Sequence, residues 1–558
     1  MFTSLRCFFY KRLLPAAIFF VTVIVAPAQV NVLTYHFDNF RTGQNVAERA
    51  LNLENVNSAT FGKLFAHSVD GQIYAQPLEL QKVQIAGSGQ HNVVFVATEH
   101  DSVYAFDADS NTGANANPLW QVSFIDPPNG ITPIPADDIG VDFIYPEVGI
   151  TSTPVIDATT GTLYVVADTK ENGAYFQRLH ALDVTSGAEK FGGPVEIQAT
   201  VAGTGWGSQN GHISFDPLHE HQRAALLLSH GIVYIAWSSH GKESQYIYHG
   251  WVMGYDAKTL TQVAVFNDTP NGKQGGIWAA GGGLTTGPNG NLFVVTGNGT
   301  FDVDQGGIDY GESFVNLTPD LQVADYFSPY DEGELSDKDR DLGGGEAMIV
   351  PGPNLSAPPH LGVGAGKGGT IYLVDLRRLG GFNPSQNENL ETIENAFAGN
   401  GMLNSPGYWQ QKLYFCASKD VLRIFQINNG LISPNPIATS QHVFTQPGAT
   451  SVISANGAKD GIVWLLEYIT PQQNQGYGGP AVLHAFDATN ATEIYNSNQA
   501  GSRDVPGNSL HFIAPIVANG KVYLGTANEL DVFGLLGNSR SLNGHAVVPT
   551  GADHRAKR

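Results

Sequence analysis

The sequence predicts an all-β protein: an eight-bladed β-propeller of four-stranded antiparallel blades, closed by pairing of its N- and C-terminal strands. Three observations carry this expectation. An apolar strand that leads through a short turn to a second strand ending in an Ala-x-Asp-like step recurs eight times. The 558 residues include 65 Gly and 30 Pro without a collagen period, which means many turns and hence many short strands. The last unit stops near Leu536 without an outer strand, whereas an unpaired strand, GKLFAHSVDG (62–71), precedes the first unit. Joining the two removes both free edges, which otherwise invite aggregation.

Taken in order, residues 1–28 read as an export signal. Arg6, Lys11 and Arg12 form a positive n-region, Leu13 to Val25 an apolar run, and Ala26-Pro27-Ala28 a small-residue cleavage site. Residues 29–61 are an N-terminal extension and 62–537 the propeller. Its units are VVFVATEHDSVYAFDADSNTG (93–113), LYVVADTKENGAYFQRLHALDVTSG (163–187), VYIAWSS…GWVMGYDAKTL (233–260) and LFVVTGNG…SFVNLTPD (292–320). LGVGAGKGGTIYLVDLRRLG (361–380), LYFCASKDVLRIFQINNG (413–430), VWLLEY…VLHAFDATN (463–490) and VYLGTANELDVFGLL (522–536) complete the set. Alternating residues place one face of each strand in a core. The Asp after the strand accepts from turn N–H groups, and a following Gly supplies positive φ. An aromatic such as Trp120, Phe191 or Phe266 then opens the next strand. The acidic segment 325–345 reads as a solvated loop, and 538–558 as a flexible tail.

A hydrophobic content of 42% is ample for a packed core and excludes a disordered chain or a disulfide miniprotein. No run after the signal approaches 18 apolar residues, so no membrane span is expected once the signal is cleaved. Cleavage takes three positive and no negative charges from a chain of net charge −22, leaving −25, which repels nucleic acid. Cys7 lies in the signal, so Cys416 remains alone and no internal disulfide forms. His219 and His221 lack a third zinc ligand at recognisable spacing and read as a polar turn. The expected location is outside the cytoplasm, periplasmic or extracellular.

AFDADSNTG…LW (105–120), ALDVTSGAEKF (181–191) and AFDATN (485–490) resemble the repeat of the quinoprotein (pyrroloquinoline quinone) dehydrogenase-like propellers. NVVFVATEHDSVYAFDADSNTG (92–113) and NSNQAGSRD (496–504) look closest to the exported PQQ-repeat proteins of soil bacteria. The resemblance covers residues 60–536 and implies pyrroloquinoline quinone and Ca²⁺ on the propeller axis. GGIWAAGGGL (275–284) places the stacking ring on Trp278. VTGNGTFD (295–302) points to Asn298 as a calcium ligand, GAGKGGTIYLVDL (364–376) to Lys367 as a quinone contact, and GITSTPVID (149–157) to Thr151. Read from the residues alone, each keeps two meanings. Trp278, flanked by glycines, offers a face to a flat ring or packs between blades. Asn298 lends an amide oxygen to a hard cation or shapes a tight turn. Lys367 meets an anion or faces solvent.

The chain also departs from those enzymes. The adjacent Cys-Cys pair is missing, and no C-x-x-C-H brings a haem. The calcium-binding Glu falls on Glu171 in TKENGAYF (169–176), although a gapless match puts Asn172 there. The catalytic Asp, also a metal ligand, falls on Asp309 in GIDYGESF (307–314), and DRDLGGG (339–345) resembles the D-x-D segment that follows. Asp302, Asp304 and Asp309 could separately wrap a calcium ion. Two functions follow. One is an oxidoreductase that uses the quinone and Ca²⁺ to oxidise an alcohol or sugar. The other is a non-catalytic scaffold that binds an envelope protein or glycan, as the propeller of the outer-membrane barrel assembly machinery does.

Overall fold

Eight antiparallel sheets follow one another along the chain, each built outward from a short inner strand. The structure is a computed structural model that describes residues 29–140, 143–241, 247–352, 360–399, 401–470 and 476–537. The predicted signal and tail lie outside the described residues. The inner strands of blades 1 to 8 are Leu78–Ile85, Val155–Asp157, Leu227–Ser229, Thr285–Thr286, Met348–Val350, Gly407–Trp409, Val452–Asn456 and Ile516–Ala518. Blade 8 has three strands of its own, and its fourth is Phe61–Ser68. That strand runs antiparallel to Glu529–Leu535, with Phe61 opposite Leu535 and Ser68 opposite Glu529. The ring is therefore closed by the strand pair expected from the sequence.

Each blade is covered by a neighbour on both faces, which is why second strands such as Gly89–Ala97 and Ile232–Ser239 carry continuous buried runs instead of a strict alternation. The Asp of the repeated step accepts from the turn N–H as expected. Asp107 takes that of Asp109 at 2.9 Å, Asp183 that of Thr185 at 2.9 Å, Asp256 that of Lys258 at 2.9 Å and Asp487 that of Thr489 at 2.7 Å.

A second repeated contact joins the blades. A Tyr near the start of the second strand donates its hydroxyl to a carbonyl in the turn of the following blade. Tyr164 reaches Ala257 at 2.7 Å, Tyr234 reaches Pro319 at 2.8 Å and Tyr414 reaches Ala488 at 2.9 Å. Tyr523 makes a longer contact to Ala108 at 3.4 Å, across the closure.

Two local expectations are corrected. Phe191 and Phe266 do not open strands: Phe191 sits in a turn at φ +57° with its ring under the Lys190 ammonium, before the strand that begins at Val195, and Phe266 lies near the end of Gln262–Asn267. The segment 325–345 is not a plain solvated loop. It holds the end of a strand, Val323–Phe327, and a short helix, Glu332–Asp337, then descends to buried Asp341 and Leu342.

Residues 32–45 form a belt inside the shaft and meet the inner strands in blade order. Val32 and Glu79 exchange two backbone bonds (blade 1), and Leu33 O accepts from Ile156 (blade 2). Asn39 donates its side-chain amide to Leu228 O (blade 3) and accepts from Thr286 N (blade 4). Phe40 O accepts from Ile349, Thr42 O from Tyr408 and Gly43 O from Ile453 (blades 5 to 7). Asn45 donates its side-chain amide to Val517 O (blade 8). Arg41, fully buried, ties the belt to the shaft. It donates to Thr34 Oγ1 at 2.6 Å, Tyr35 O at 2.9 Å, Leu284 O at 3.0 Å and Leu226 O at 3.2 Å, with Glu346 Oε1 at 3.9 Å.

Candidate functional site

Because every inner strand starts at one face of the ring, the segments entering the inner strands and those joining second to third strands share that face. An arc of polar residues crosses it from blade 1 to blade 5. In blade 1, the second strand ends and is followed by Glu99, whose Oε2 accepts from Gly149 N at 2.8 Å and from Thr151 Oγ1 at 3.1 Å. Burial pushes Glu99 up to about 7 against these bonds and the nearby Arg223. Thr151 also lies 3.2 Å from Nε2 of His221. The His221 ring stacks on His240 with centroids 4.2 Å apart.

Arg223 is buried, with its guanidinium 4.3 Å from the centre of the Phe512 ring and its Nε without a partner. His511 meets the Tyr74 hydroxyl through Nδ1 at 3.4 Å, while its own Nε2 and that of His240 have no partner. Burial first, and then neighbouring cations including Arg223, hold both histidines down to about 3, so these rings are neutral.

Trp278 enters at blade 4, where a Cβ on Gly276 would lie 3.1 Å from both its Nε1 and Ser238, two residues before His240. A Cβ on Gly297 would come within 3.0 Å of its Cδ1 and 2.8 Å of Asp341 Oδ1. The glycines around this indole are thus required by close approach. Ala279 and Ala280 follow at φ +45° and +44°, a left-handed turn that costs about 1–2 kcal/mol per non-glycine residue. It delivers Gly281 against the carbonyl of Phe512. Trp278 is half-buried, and its Nε1 is buried without a partner.

Asn298, Asp341 and Lys367 meet beside it. Asn298 donates its backbone N–H to Asp341 Oδ1 at 2.9 Å and its side-chain amide to Asp339 Oδ1 at 3.0 Å. Lys367 Nζ pairs with Asp339 at 2.7 Å and with Asp341. These carboxylates hold the ammonium well above the usual lysine range despite its burial. An open cleft of about 870 Å³ reaches this cluster at Asn298 and Asp339, with Trp206, Lys273, Gln274 and Thr300 among its other walls.

Of the residues singled out in the sequence, Trp278, Asn298 and Lys367 are brought together, and Thr151 lies further along the same arc. Glu171 and Asp309 are placed elsewhere. Glu171 ends the strand Thr162–Glu171, where Arg178 holds both of its oxygens and Thr169 donates at 2.9 Å. Asp309 is fully buried between its own loop and the loop after blade 3, accepting from Asn271 N at 3.0 Å, with its backbone N–H donating to Asp302. Burial raises it to about 6.

Sequence reasoning missed Asp341 as the carboxylate between Asn298 and Lys367, although DRDLGGG was the available signal. It also took His221 for part of a polar turn, whereas the side chain is buried against Thr151 and His240. Arg223, His240 and His511 carried no local signal, because their partners are distant in sequence: Phe512 for Arg223, Tyr74 for His511, and His221, across the same blade, for His240.

Among solved structures, the quinohemoprotein alcohol dehydrogenase from Comamonas testosteroni aligns with 96% of this chain and 85% of its own, at 14% identity and a TM-score of 0.57. The quinohemoprotein alcohol dehydrogenase ADHIIG from Pseudomonas putida HK5 aligns with 93% of this chain and 82% of its own, at 13% identity and a TM-score of 0.56. The chain shares with these two structures the fold of an eight-bladed β-propeller of antiparallel blades. BamB from Moraxella catarrhalis aligns with 87% of this chain and 99% of its own, at 11% identity and a TM-score of 0.46. No protein-family model matches the sequence of this propeller, and no curated protein matches it. No helix among its described residues is long and apolar enough to cross a membrane.

Proposed function

We propose that this propeller binds a planar, multiply anionic quinone of the pyrroloquinoline quinone class on its axis and oxidises an alcohol or sugar outside the cytoplasm. The observation that carries this reading is the meeting of Trp278, Asn298, Asp341 and Lys367 from blades 4 and 5. The residues present fit such a group at three points. Trp278 offers a half-exposed ring face with an unpartnered Nε1–H. Arg223 offers a buried guanidinium with an unpartnered Nε, which suits a carboxylate. Lys367 brings a second cation. The likeness in fold to quinohemoprotein alcohol dehydrogenases supports the same substrate class.

A bound quinone supplies the two-electron acceptor; the remaining chemistry belongs to the chain. Asp341 is the carboxylate that takes the hydroxyl proton of the substrate, aimed by the Asn298 N–H and the Lys367 ammonium. Trp278 offers its ring to the site, and the left-handed turn after it fixes the backbone there by seating Gly281 against the Phe512 carbonyl. The expected calcium donors Asn298, Glu171 and Asp309 are not gathered. A calcium ion at this site would draw on Asn298, Asp339 and Asp341, in competition with Lys367.

Anaerobic titration of the full chain with pyrroloquinoline quinone, with and without Ca²⁺, tests the proposal. A saturable absorbance change at micromolar quinone is expected, with loss in Trp278→Ala and in Lys367→Ala. Absence of binding removes the enzyme reading and leaves a scaffold for an envelope protein or glycan.

A further inference from the structure

Blades 6 and 7 meet on the same face at a group of side chains that the axial site does not use. His442 comes from the outer strand of blade 6, Ala438–Val443. Glu467 ends the second strand of blade 7, Lys459–Glu467, and His484 lies on the third, Val482–Asp487. In that hairpin Glu467 pairs with Val482 and Leu465 with His484, so Glu467 and His484 are diagonal neighbours on one face. Nε2 of His442 stands 3.0 Å from Glu467 Oε2, and Nε2 of His484 stands 3.3 Å from the same oxygen. The ligand atoms of the three residues all lie within 4.8 Å of one another.

The surroundings hold this arrangement in place. Glu467 Oε1 accepts from Thr445 N at 3.1 Å, and Nδ1 of His484 stands 2.6 Å from Glu493 Oε1. Phe444 packs its ring near both imidazoles, at 4.8 Å from His442 and 5.1 Å from His484. The Glu467 and His484 side chains are 6% and 3% exposed, whereas that of His442 is 36% exposed. The group is closed on the blade 7 side and open to solvent at His442.

We propose that His442, Glu467 and His484 bind a divalent transition-metal ion of the zinc class and leave one coordination position facing solvent. Two imidazoles and a carboxylate are zinc's ligand types, and three protein ligands with an open fourth position is the arrangement of a reactive site. Bonds of about 2.0–2.1 Å put tetrahedral ligands about 3.3 Å apart, close to the spacing of each imidazole Nε2 from Glu467 Oε2, and all three ligand atoms lie within 4.8 Å of one another. Glu493 accepts the Nδ1 proton of His484, which turns the Nε2 lone pair toward the metal and raises its basicity. One carboxylate in the ligand set and one behind it balance the dication. The two nitrogen donors disfavour Ca²⁺ and Mg²⁺, which take oxygen ligands.

The test uses the full chain, stripped with a chelator and titrated calorimetrically with Zn²⁺ near neutral pH. One ion per chain is expected, with a Kd in the low micromolar range or tighter. Co²⁺ in its place gives the visible absorption of a tetrahedral nitrogen–oxygen site. His442→Ala, at a ring one-third exposed, keeps the wild-type circular dichroism and melting temperature yet weakens binding at least about tenfold. Glu493→Gln weakens it by about 10–100-fold while leaving all three ligands in place. Saturation absent below about 100 μM, or affinity unchanged in His442→Ala, overturns the site. His484 would then be a protonated ring clamped between Glu467 and Glu493.

Discussion

At the scale of single residues, the decisive contrast lies between Asp309 and Asp341. Both are buried and both come from acidic, glycine-bearing loops, yet their surroundings give them different work. Asp309 accepts from the Asn271 N–H of the loop after blade 3, whereas Asp341 stands between the Asn298 N–H and the Lys367 ammonium. Asp341→Asn should leave quinone affinity within a few-fold of wild type and lower kcat by about 10²–10⁴-fold, the usual span for a general base, as read in dye-linked turnover. Asp309→Asn should leave kcat nearly unchanged in the same assay; equal losses in both variants would remove the distinction. Trp278 and Lys367 were legible because GGIWAAGGGL and GAGKGGTIYLVDL resemble quinoprotein segments; their flanking glycines alone left each with two meanings. Asp341 was not. It ends a run of carboxylates, Asp331, Glu332, Glu334, Asp337 and Asp339 before it, and a linear pattern cannot rank which of them turns inward. His221 escaped for a related reason: its contacts come from Thr151 and His240, in loops 70 and 19 residues away along the chain.

At the scale of elements, the Tyr hydroxyls that cross from one blade to the next explain why sheets with little direct pairing hold their spacing. Tyr164→Phe removes one donor and leaves the Ala257 carbonyl buried without it, so urea denaturation should show a loss of about 1–2 kcal/mol. The closing strand is held more by packing. Phe61 is fully buried against Trp464 at 5.4 Å, Tyr495 at 5.0 Å and Phe533 at 6.2 Å between ring centres. Phe61→Ala should cost about 3–5 kcal/mol, read as a lower denaturation midpoint. The blades were legible because strand, turn Asp and Gly recur together and each unit states its own register. Phe191 was misread because an aromatic beside Gly192 and Gly193 has no partner face until the tertiary fold supplies one.

At the scale of the whole molecule, buried titratable groups set a pH optimum for stability. Burial raises Glu79 and Glu346 to about 8 from an ordinary 4.5. The folded chain therefore holds protons that the unfolded chain releases, and this stability, complete below pH 4.5, is lost as pH rises through 8. His36, His240 and His511 are lowered to about 3 from 6.5, chiefly by burial. Their contribution is complete above pH 6.5 and is lost as pH falls toward 3. Thermal midpoints should peak at roughly pH 5–6 and fall on either side, and Glu346→Gln should flatten the alkaline limb. A peak above pH 7 would contradict this assignment of charges. The overall ring was readable from the repeat, but the belt of residues 32–45 was not, since its bonds are mostly backbone contacts that any side chains could make.

The pairing of Phe61–Ser68 with Glu529–Leu535 has a consequence in time as well as in space. The strand Phe61–Ser68 is synthesised before every blade, and its mate Glu529–Leu535 only after the inner strands of all eight. Throughout synthesis, the growing polypeptide carries an exposed, β-prone edge that a holding chaperone would have to shield.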